Sequence, residues 1–560
     1  MKEIDYKNKK KLYKKNDLEL LISNNGYNRY QYTNLFVCFI LMGLDGMIMT
    51  LSSSMIIPLY NYYKMTKIML AISSAIVFLG ISIGCVCLKS LVNKYGRIST
   101  LNLGLVLILI SHLGYILTTN SIVFSIYRFI SGIGNGIQLS LILTITCDKL
   151  PLNSKGFAVS SAWMGFASFQ VINLILMYYL MPNYESNKVP LVLFLLFVLT
   201  LIACVISFIY NKDSPEHLII LGKIKEAKQV INSMLYPEII SQNEFEKITA
   251  NVLKFNERIE KLESKSYESL QIENNNNNYN EEYLLDVNNN INDVKDQEKI
   301  RHNLFDKHNN NYNNKKEDVK LLIKYKELDN KEVDEVNYKE RLINNSNNIN
   351  TKDPLVSNSS TLNDLNVIFS GRYKLSSYLI SIICITSAII FYGPLLITSI
   401  TIIAINKTSN NSQPISDIIL GNINIAFALI ISNPIGGALS ELKFLGRKHT
   451  ILICYIPCLI ANILIIIYPS IYEACQTIIL LFGNISYNLF IIYFTELYPS
   501  KLRDSAVSYF FSLNRFGGCI SQLVFLYLFN LGLFIPYYVL TAIISVTIIC
   551  VFMLPYNTVN

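Results

Sequence analysis

Predominantly apolar runs of about twenty or more residues recur along the whole chain, and no other feature restricts the fold as strongly. A run of that length spans about 30 Å of hydrocarbon as a helix. Such runs lie near 34–60, 68–90, 99–118, 121–147, 157–181 and 190–210, and again near 376–405, 416–440, 449–469, 473–497, 506–530 and 534–554. The expected fold is therefore an all-α polytopic membrane protein, with twelve transmembrane helices in two six-helix halves. Composition agrees. With 51% hydrophobic and 16% charged residues and a mean hydropathy of +0.35, the 560-residue chain is too apolar for an ordinary soluble protein.

Four regions follow: a basic tail (1–33), a first half (34–211), a long polar loop (212–373) and a second half (374–556). The tail has no short apolar core with a small-residue cleavage site, so the first apolar helix is expected to act as its own insertion signal. Lysine and arginine set the orientation. Eight basic residues of the tail, with Lys89, Lys94, Arg97, Lys149, Lys155, Lys443, Arg447, Lys448, Lys501 and Arg503, fall on one side. Only Lys64, Lys67, Lys188 and Lys407 fall on the other. Both termini and the central loop are expected in the cytoplasm. The loop begins with helical spacing at Ile220, Ile224, Ala227 and Ile231, which reads as an amphipathic helix on the inner membrane surface. Beyond about residue 240 it is rich in Asn, Lys and Glu, with five asparagines at 274–278, and disorder is expected there.

The eleven cysteines lie almost entirely in apolar runs, without zinc spacing or a disulfide framework. The net charge of +8 is modest and its basic residues are not interleaved with aromatics, which argues against nucleic-acid binding. No phosphate-cradling Gly-x-x-x-x-Gly-Lys-Ser/Thr stretch occurs, and no nucleophile, metal or dyad spacing is found. Neither an enzyme nor a cofactor or metal is expected.

The stretch YRFISGIGNGIQLS (127–140) puts an arginine inside an apolar run, beside Gly132, Gly134 and Gly136. An arginine at mid-bilayer costs about 2.5–3.5 kcal/mol on insertion scales. Arg128 must therefore face a cavity or a partner. The glycines allow another backbone to approach closely, either for a moving contact or for static packing. A second signature is repeated: NKYGRIS (93–99) follows the second span and ELKFLGRKHT (441–450) follows the eighth, about 350 residues later. Two homologous halves are a common transporter plan.

These loops resemble the Asp-Arg-x-Gly-Arg-Arg motif of the major facilitator superfamily, and RFISGIGNG (128–136) resembles its fourth-helix Arg-x-x-x-Gly-x-Gly-x-Gly motif. CDKLPLNSKG (147–156), DSPEHLIILGKIKEA (213–227) and YFTELYPSKLRDSAVSYFFSLNRFGG (493–518) resemble further elements of that family. GLDGMIMTLSSSMIIPL (43–59), FYGPLLIT (391–398) and 493–518 look most like the branch related to synaptic vesicle protein 2, near organic ion and sugar porters. The glutamine-rich seventh-helix pattern of sugar porters is missing from 376–398. Asn93 stands for the usual Asp, and Lys443 for the second one.

The resemblance implies a secondary active transporter that moves a small organic solute, an organic ion, by alternating access with proton coupling. The lipid bilayer, protons and the solute would be its partners, and a monomer its state. The alternatives are a facilitative sugar or polyol transporter, a drug exporter, and a non-transporting receptor-like member. Gating is expected of Asn93, Gly96, Arg97, the three fourth-helix glycines, Asp148, Glu441, Gly446, Arg447, Glu496, Pro499 and Arg503. Asp45 is the carboxylate placed near mid-membrane, expected to load and release a proton, with Arg128 a nearby cation; the rival reading is a permanent Asp45–Arg128 ion pair that only orders the bundle. Arg515, from the other half, is expected to offer a fixed charge to an anion. Polar candidates for the cavity are Gln138, Gln170, Asn173, Asn422, Asn424, Asn484, Asn488 and Gln522, with aromatic Phe391, Tyr392, Tyr487 and Tyr493. His112 reads as a packing residue rather than a proton relay.

Overall fold

The computed structural model describes residues 28–147, 149–150, 155–213, 215–220, 222–235, 245–246, 248–250, 365, 367–370, 373–408, 415–440, 446–498 and 500–555. Its long helices are α1 (Arg29–Ser52), α2 (Lys67–Tyr95), α3 (Arg97–Leu117), α4 (Ser121–Cys147), α5 (Lys155–Leu180) and α6 (Val189–Tyr210), then α7 (Lys374–Thr408), α8 (Ile415–Ser440), α9 (Gly446–Ile467), α10 (Tyr472–Leu497), α11 (Ser500–Leu531) and α12 (Ile535–Met553). Eleven are long and apolar enough to cross a membrane. The other is α11, whose polar residues include buried Ser512, Asn514, Arg515, Ser521 and Gln522. It packs on α2 and α7 rather than offering an apolar surface all round. The first span is interrupted where one continuous run is expected: α1 stops at Ser52, and a short helix, Ile56–Tyr62, follows.

The packing repeats with a period of six helices. In the first half α2 packs on α4, α3 on α4, α1 on α5, α3 on α6 and α1 on α6; α8 packs on α10, α9 on α10, α7 on α11, α9 on α12 and α7 on α12. The halves meet along two seams that exchange under the same rule, α2 with α11 and α5 with α8. The repeated sequence signature sits at matching corners. Gly96, between α2 and α3, has φ 81°, and Gly446, at the start of α9, has φ 69°. Only a residue without Cβ adopts that region cheaply. Four residues on, each half uses a threonine hydroxyl to bond the glycine carbonyl: Thr100 to Gly96 at 2.7 Å and Thr450 to Gly446 at 3.0 Å. The motif is thus a tight corner at glycine, followed in each half by the same threonine bond back to the glycine carbonyl.

The start of the central loop departs from expectation. Helices Pro215–Ile220 and Ile224–Leu235 bury Leu218, Ile219, Ala227, Val230, Ile231 and Met234 together with Phe245, Ile248 and the ring of Tyr30. Asn28, at the head of α1, donates to the Met234 carbonyl at 2.6 Å. The apolar face is covered by protein, while Ile224 is exposed. The asparagine-rich stretch lies outside the described residues.

Candidate functional site

The glycines of α4 set the geometry of the first half. A Cβ built on Gly132 would stand 2.3 Å from the Val77 carbonyl oxygen, and one on Gly136 2.2 Å from that of Ile81. From the other side, a Cβ on Gly80 would meet the Phe129 oxygen at 2.4 Å and one on Gly84 the Ile133 oxygen at 2.4 Å. Gly134 makes the same kind of contact with Gly104 on α3, at 2.5 Å from its oxygen. The backbones of α2, α3 and α4 therefore touch, and α4 is held at a fixed depth with Arg128 and Asn135 facing α1.

Asp45, on α1, is fully buried and holds two partners from different helices. Asn135 of α4 donates to Oδ1 at 2.5 Å, and Arg515 of α11 donates to Oδ2 at 2.8 Å. The pair Asp45–Arg515 joins the two halves, with both side chains at 0% exposure. Arg515 also donates to the Tyr392 hydroxyl and stacks its cation 5.5 Å from that ring. Tyr392 is fixed in turn: Phe78 of α2 lies edge-on at 4.7 Å, and Gln522 donates to its carbonyl at 3.2 Å. The expected neighbour of Asp45 was Arg128. The structure instead gives Arg128 to the Ile48 carbonyl at 3.2 Å, the Ser73 carbonyl at 3.4 Å and the Ser52 hydroxyl. It points to the end of α1, beyond Asp45, so the two do not pair.

Next to Tyr392 lies a cavity between the halves, lined by Trp163 and Phe166 of α5, Ser387, Ala388 and Phe391 of α7, Asn484 and Tyr487 of α10, and Asn514 of α11. Its walls are aromatic. Trp163 stands edge-on to Tyr487 at 6.0 Å, and Phe391 edge-on to Tyr392 at 4.9 Å. Its rim is amide and hydroxyl: Tyr487 donates to Asn514 Oδ1 at 3.2 Å, and Asn514 to the Cys384 carbonyl at 3.0 Å. Asn484 donates to Asn433 Oδ1 and Ser432 Oγ, each at 2.7 Å. The buried indole N–H of Trp163 has no hydrogen-bond partner among the described residues. Unpaired donors in an apolar box are the usual means of orienting a guest.

Of the other expected residues, Tyr392, Tyr487, Asn484, Phe391 and Gln522 come together here. Asn488 is behind the wall, bonded to Asn433 at 2.9 Å. Gln138 ties α4 to the Leu41 carbonyl at 2.6 Å, and Asn422 ties α8 to Ser399 at 2.9 Å, so both brace helices. Gln170 and Asn173 are buried on α5 away from the cavity lining, Tyr493 is buried, and Asn424 is exposed. His112 bonds Thr200 at 2.7 Å between α3 and α6, as a packing residue would. Arg97 and Arg447 open α3 and α9 beside their corner glycines. Asp148, Glu441 and Pro499, and the side chains of Asn93, Glu496 and Arg503, lie outside the described residues. Sequence reading missed Asn135, Trp163, Phe78 and Asn514. Two had a signal: Asn135 interrupts the glycine series, and Trp163 is the single tryptophan of the chain.

The family model of the Major Facilitator Superfamily matches residues 35–258. Over 251 residues the chain is 25% identical to the 4-hydroxybenzoate transporter PcaK of Acinetobacter baylyi (strain ATCC 33305 / BD413 / ADP1), a match covering 42% of this chain and 52% of that protein. The chain thus spans about half the length of this curated relative. The fold is similar to the xylose transporter XylE from E. coli in a partially occluded inward open conformation, with TM-score 0.60 at 12% identity over 95% of this chain and 99% of that one. It is also similar to the proton:xylose symporter XylE bound to 6-bromo-6-deoxy-D-glucose, with TM-score 0.59 at 12% identity over 94% and 97%. At that identity the likeness is one of fold.

Proposed function

We propose that this chain is a secondary transporter of the major facilitator superfamily that moves a small organic anion across a membrane by alternating access, together with a proton. The observation that carries this reading is the Asp45–Arg515 pair: fully buried, drawn from both halves, and separated from an aromatic cavity only by Tyr392. A carboxylate that enters as the cavity opens and displaces the Tyr392 hydroxyl competes with Asp45 for Arg515. Arginine suits that exchange because it stays charged and binds a carboxylate through two parallel hydrogen bonds. Asp45, left without its cation, then takes a proton.

Charge is balanced in both states. Without solute the site holds Arg515 positive and Asp45 negative. With a monoanion bound it holds Arg515 positive, the solute negative and Asp45 neutral. Either state is a neutral unit in a low-dielectric interior, where an unbalanced charge is costly. Loss of one component leaves a net charge that opposes occlusion, so anion and proton travel together, one for one. The aromatic walls favour a flat or aromatic solute body. The 4-hydroxybenzoate named for the relative has that chemistry, a ring bearing a carboxylate. The finer placement beside organic ion transporters rests on 43–59, 391–398 and 493–518. The excess of basic residues on one side supports cytoplasmic termini and a cytoplasmic central loop.

The test is uptake into proteoliposomes of a panel of benzoates, aliphatic carboxylates and hexoses, with and without an acidic exterior. The reading requires carboxylate accumulation that rises with the imposed pH difference. Uptake of hexoses with no carboxylate transported would overturn it.

A further inference from the structure

A second charged site lies in the first half, apart from the solute cavity. Arg128 is 1% exposed, on a helix that spans the membrane. Its three placed donors reach two backbone carbonyls and one serine hydroxyl, and the Tyr115 phenol stands beside it. All of these are neutral. Among the described residues no carboxylate is within ion-pair distance of Arg128; Asp45, the nearest expected candidate, is taken by Arg515. The end of α1 contributes at most about half a negative charge through its last carbonyls. A full positive charge in a low-dielectric interior is left about half balanced.

Arg128 also lines a small cavity beneath the short helix Ile56–Tyr62. The other lining residues are Leu51, Ile56, Leu59, Met65, Leu70 and Phe124, all apolar, and Ser73 and Ser74 on α2. The hydroxyls of Ser73 and Ser74 make no hydrogen bond with any described residue. The cavity has room for about one water-sized guest. A guanidinium lacking an anion, two hydroxyl donors and apolar walls around so small a space define one chemistry. The geometry points to a binding site for a single monatomic anion, a halide such as chloride, held by Arg128, Ser73 and Ser74. The site is lined from α1, α2, α4 and the short helix Ile56–Tyr62 and shares no residue with the solute cavity, which separates the two. The site joins α1, α2 and α4, so its occupancy should be read out in the stability of the first half, whether or not the solute proposal holds.

The test uses the purified full chain in detergent. Its thermal unfolding midpoint is measured as potassium gluconate is replaced by chloride or bromide at constant ionic strength. Gluconate is too large for the cavity. A saturable rise with both halides is expected. Ser73→Ala/Ser74→Ala should raise the half-saturating halide concentration at least tenfold while leaving the midpoint in gluconate unchanged, since neither hydroxyl supports another residue. Arg128→Gln, where it folds, should abolish the halide effect. No halide-specific shift, or one that the double serine variant leaves unchanged, overturns the proposal. So does a bromide-soaked crystal whose density beside Arg128 is water alone.

Discussion

The two halves share one packing plan and fill it with different chemistry. In the first, α2 and α4 touch backbone to backbone, and four glycines leave no room for a single added carbon. The corresponding seam of the second half, α8 on α10, is looser. A Cβ on Gly436 would make only ordinary contact, 3.4 Å from Asn488, and one on Gly483 would meet nothing within 4 Å. Asn433, Asn484 and Asn488 fill that seam with amide hydrogen bonds. Backbone contact transmits displacement without slack, because close-packed interiors cannot absorb it. An amide network re-pairs more easily. The backbone seam fixes Arg128 and Asn135, the partner of Asp45, while the amide seam carries Asn484 of the cavity wall.

The sharpest way to break this comparison is to unbalance the pair that spans it. Arg515→Gln leaves a buried carboxylate without its cation, and loss of one partner of such a pair costs about 3–5 kcal/mol. The variant should be strongly destabilised in a thermal unfolding assay, and Asp45→Asn/Arg515→Gln should recover part of the loss. Additive losses would mean that the pair does not couple the halves.

Glycine substitutions sharpen the comparison at smaller cost. Gly136→Ala forces apart two backbones that stand too close for a methyl group, and overpacking of this kind costs about 1–3 kcal/mol. Gly483→Ala fills open space and should change the unfolding temperature little. Equal effects at the two positions would remove the contrast between seams. In the solute wall, Trp163→Ala should raise KM for benzoates about tenfold by removing one aromatic face, with little change for aliphatic carboxylates. An equal change for both would argue against an aromatic box.

Much of the fold was legible because membrane helices announce themselves by length, and because the corner glycines, Gly96 and Gly446, recur in a recognisable frame. The break in α1 was hidden: Ser52, Ser53 and Ser54 sit inside an apolar run, and only tertiary contact with Arg128 shows what the buried helix end is for. The site was half legible. A charge at membrane depth is conspicuous, so Asp45, Arg128 and Arg515 stood out. Their pairing did not, because the choice of partner depends on which way α4 is rotated by its glycines. The face of an asparagine is equally invisible, since Asn424 and Asn422 differ by two positions and only one is buried.

The smallest expected effect concerns the central loop. Phe245 and Ile248 complete a helical cluster at the head of α1, so a deletion should begin after residue 264. Removing 265–360 should alter transport by less than about twofold, on the ground that loop length is thermodynamically cheap. A larger loss with normal surface expression would give the segment a part in the mechanism.

The central claim is that Asp45 carries the proton and Arg515 the anion. Asp45→Asn tests it most directly, because the amide keeps an oxygen for Arg515 yet cannot titrate. In proteoliposomes, a labelled carboxylate that the unmodified chain accumulates should still exchange by counterflow through this variant, while accumulation driven by an acidic exterior should be lost. Accumulation against the gradient at the wild-type level by Asp45→Asn would contradict the account.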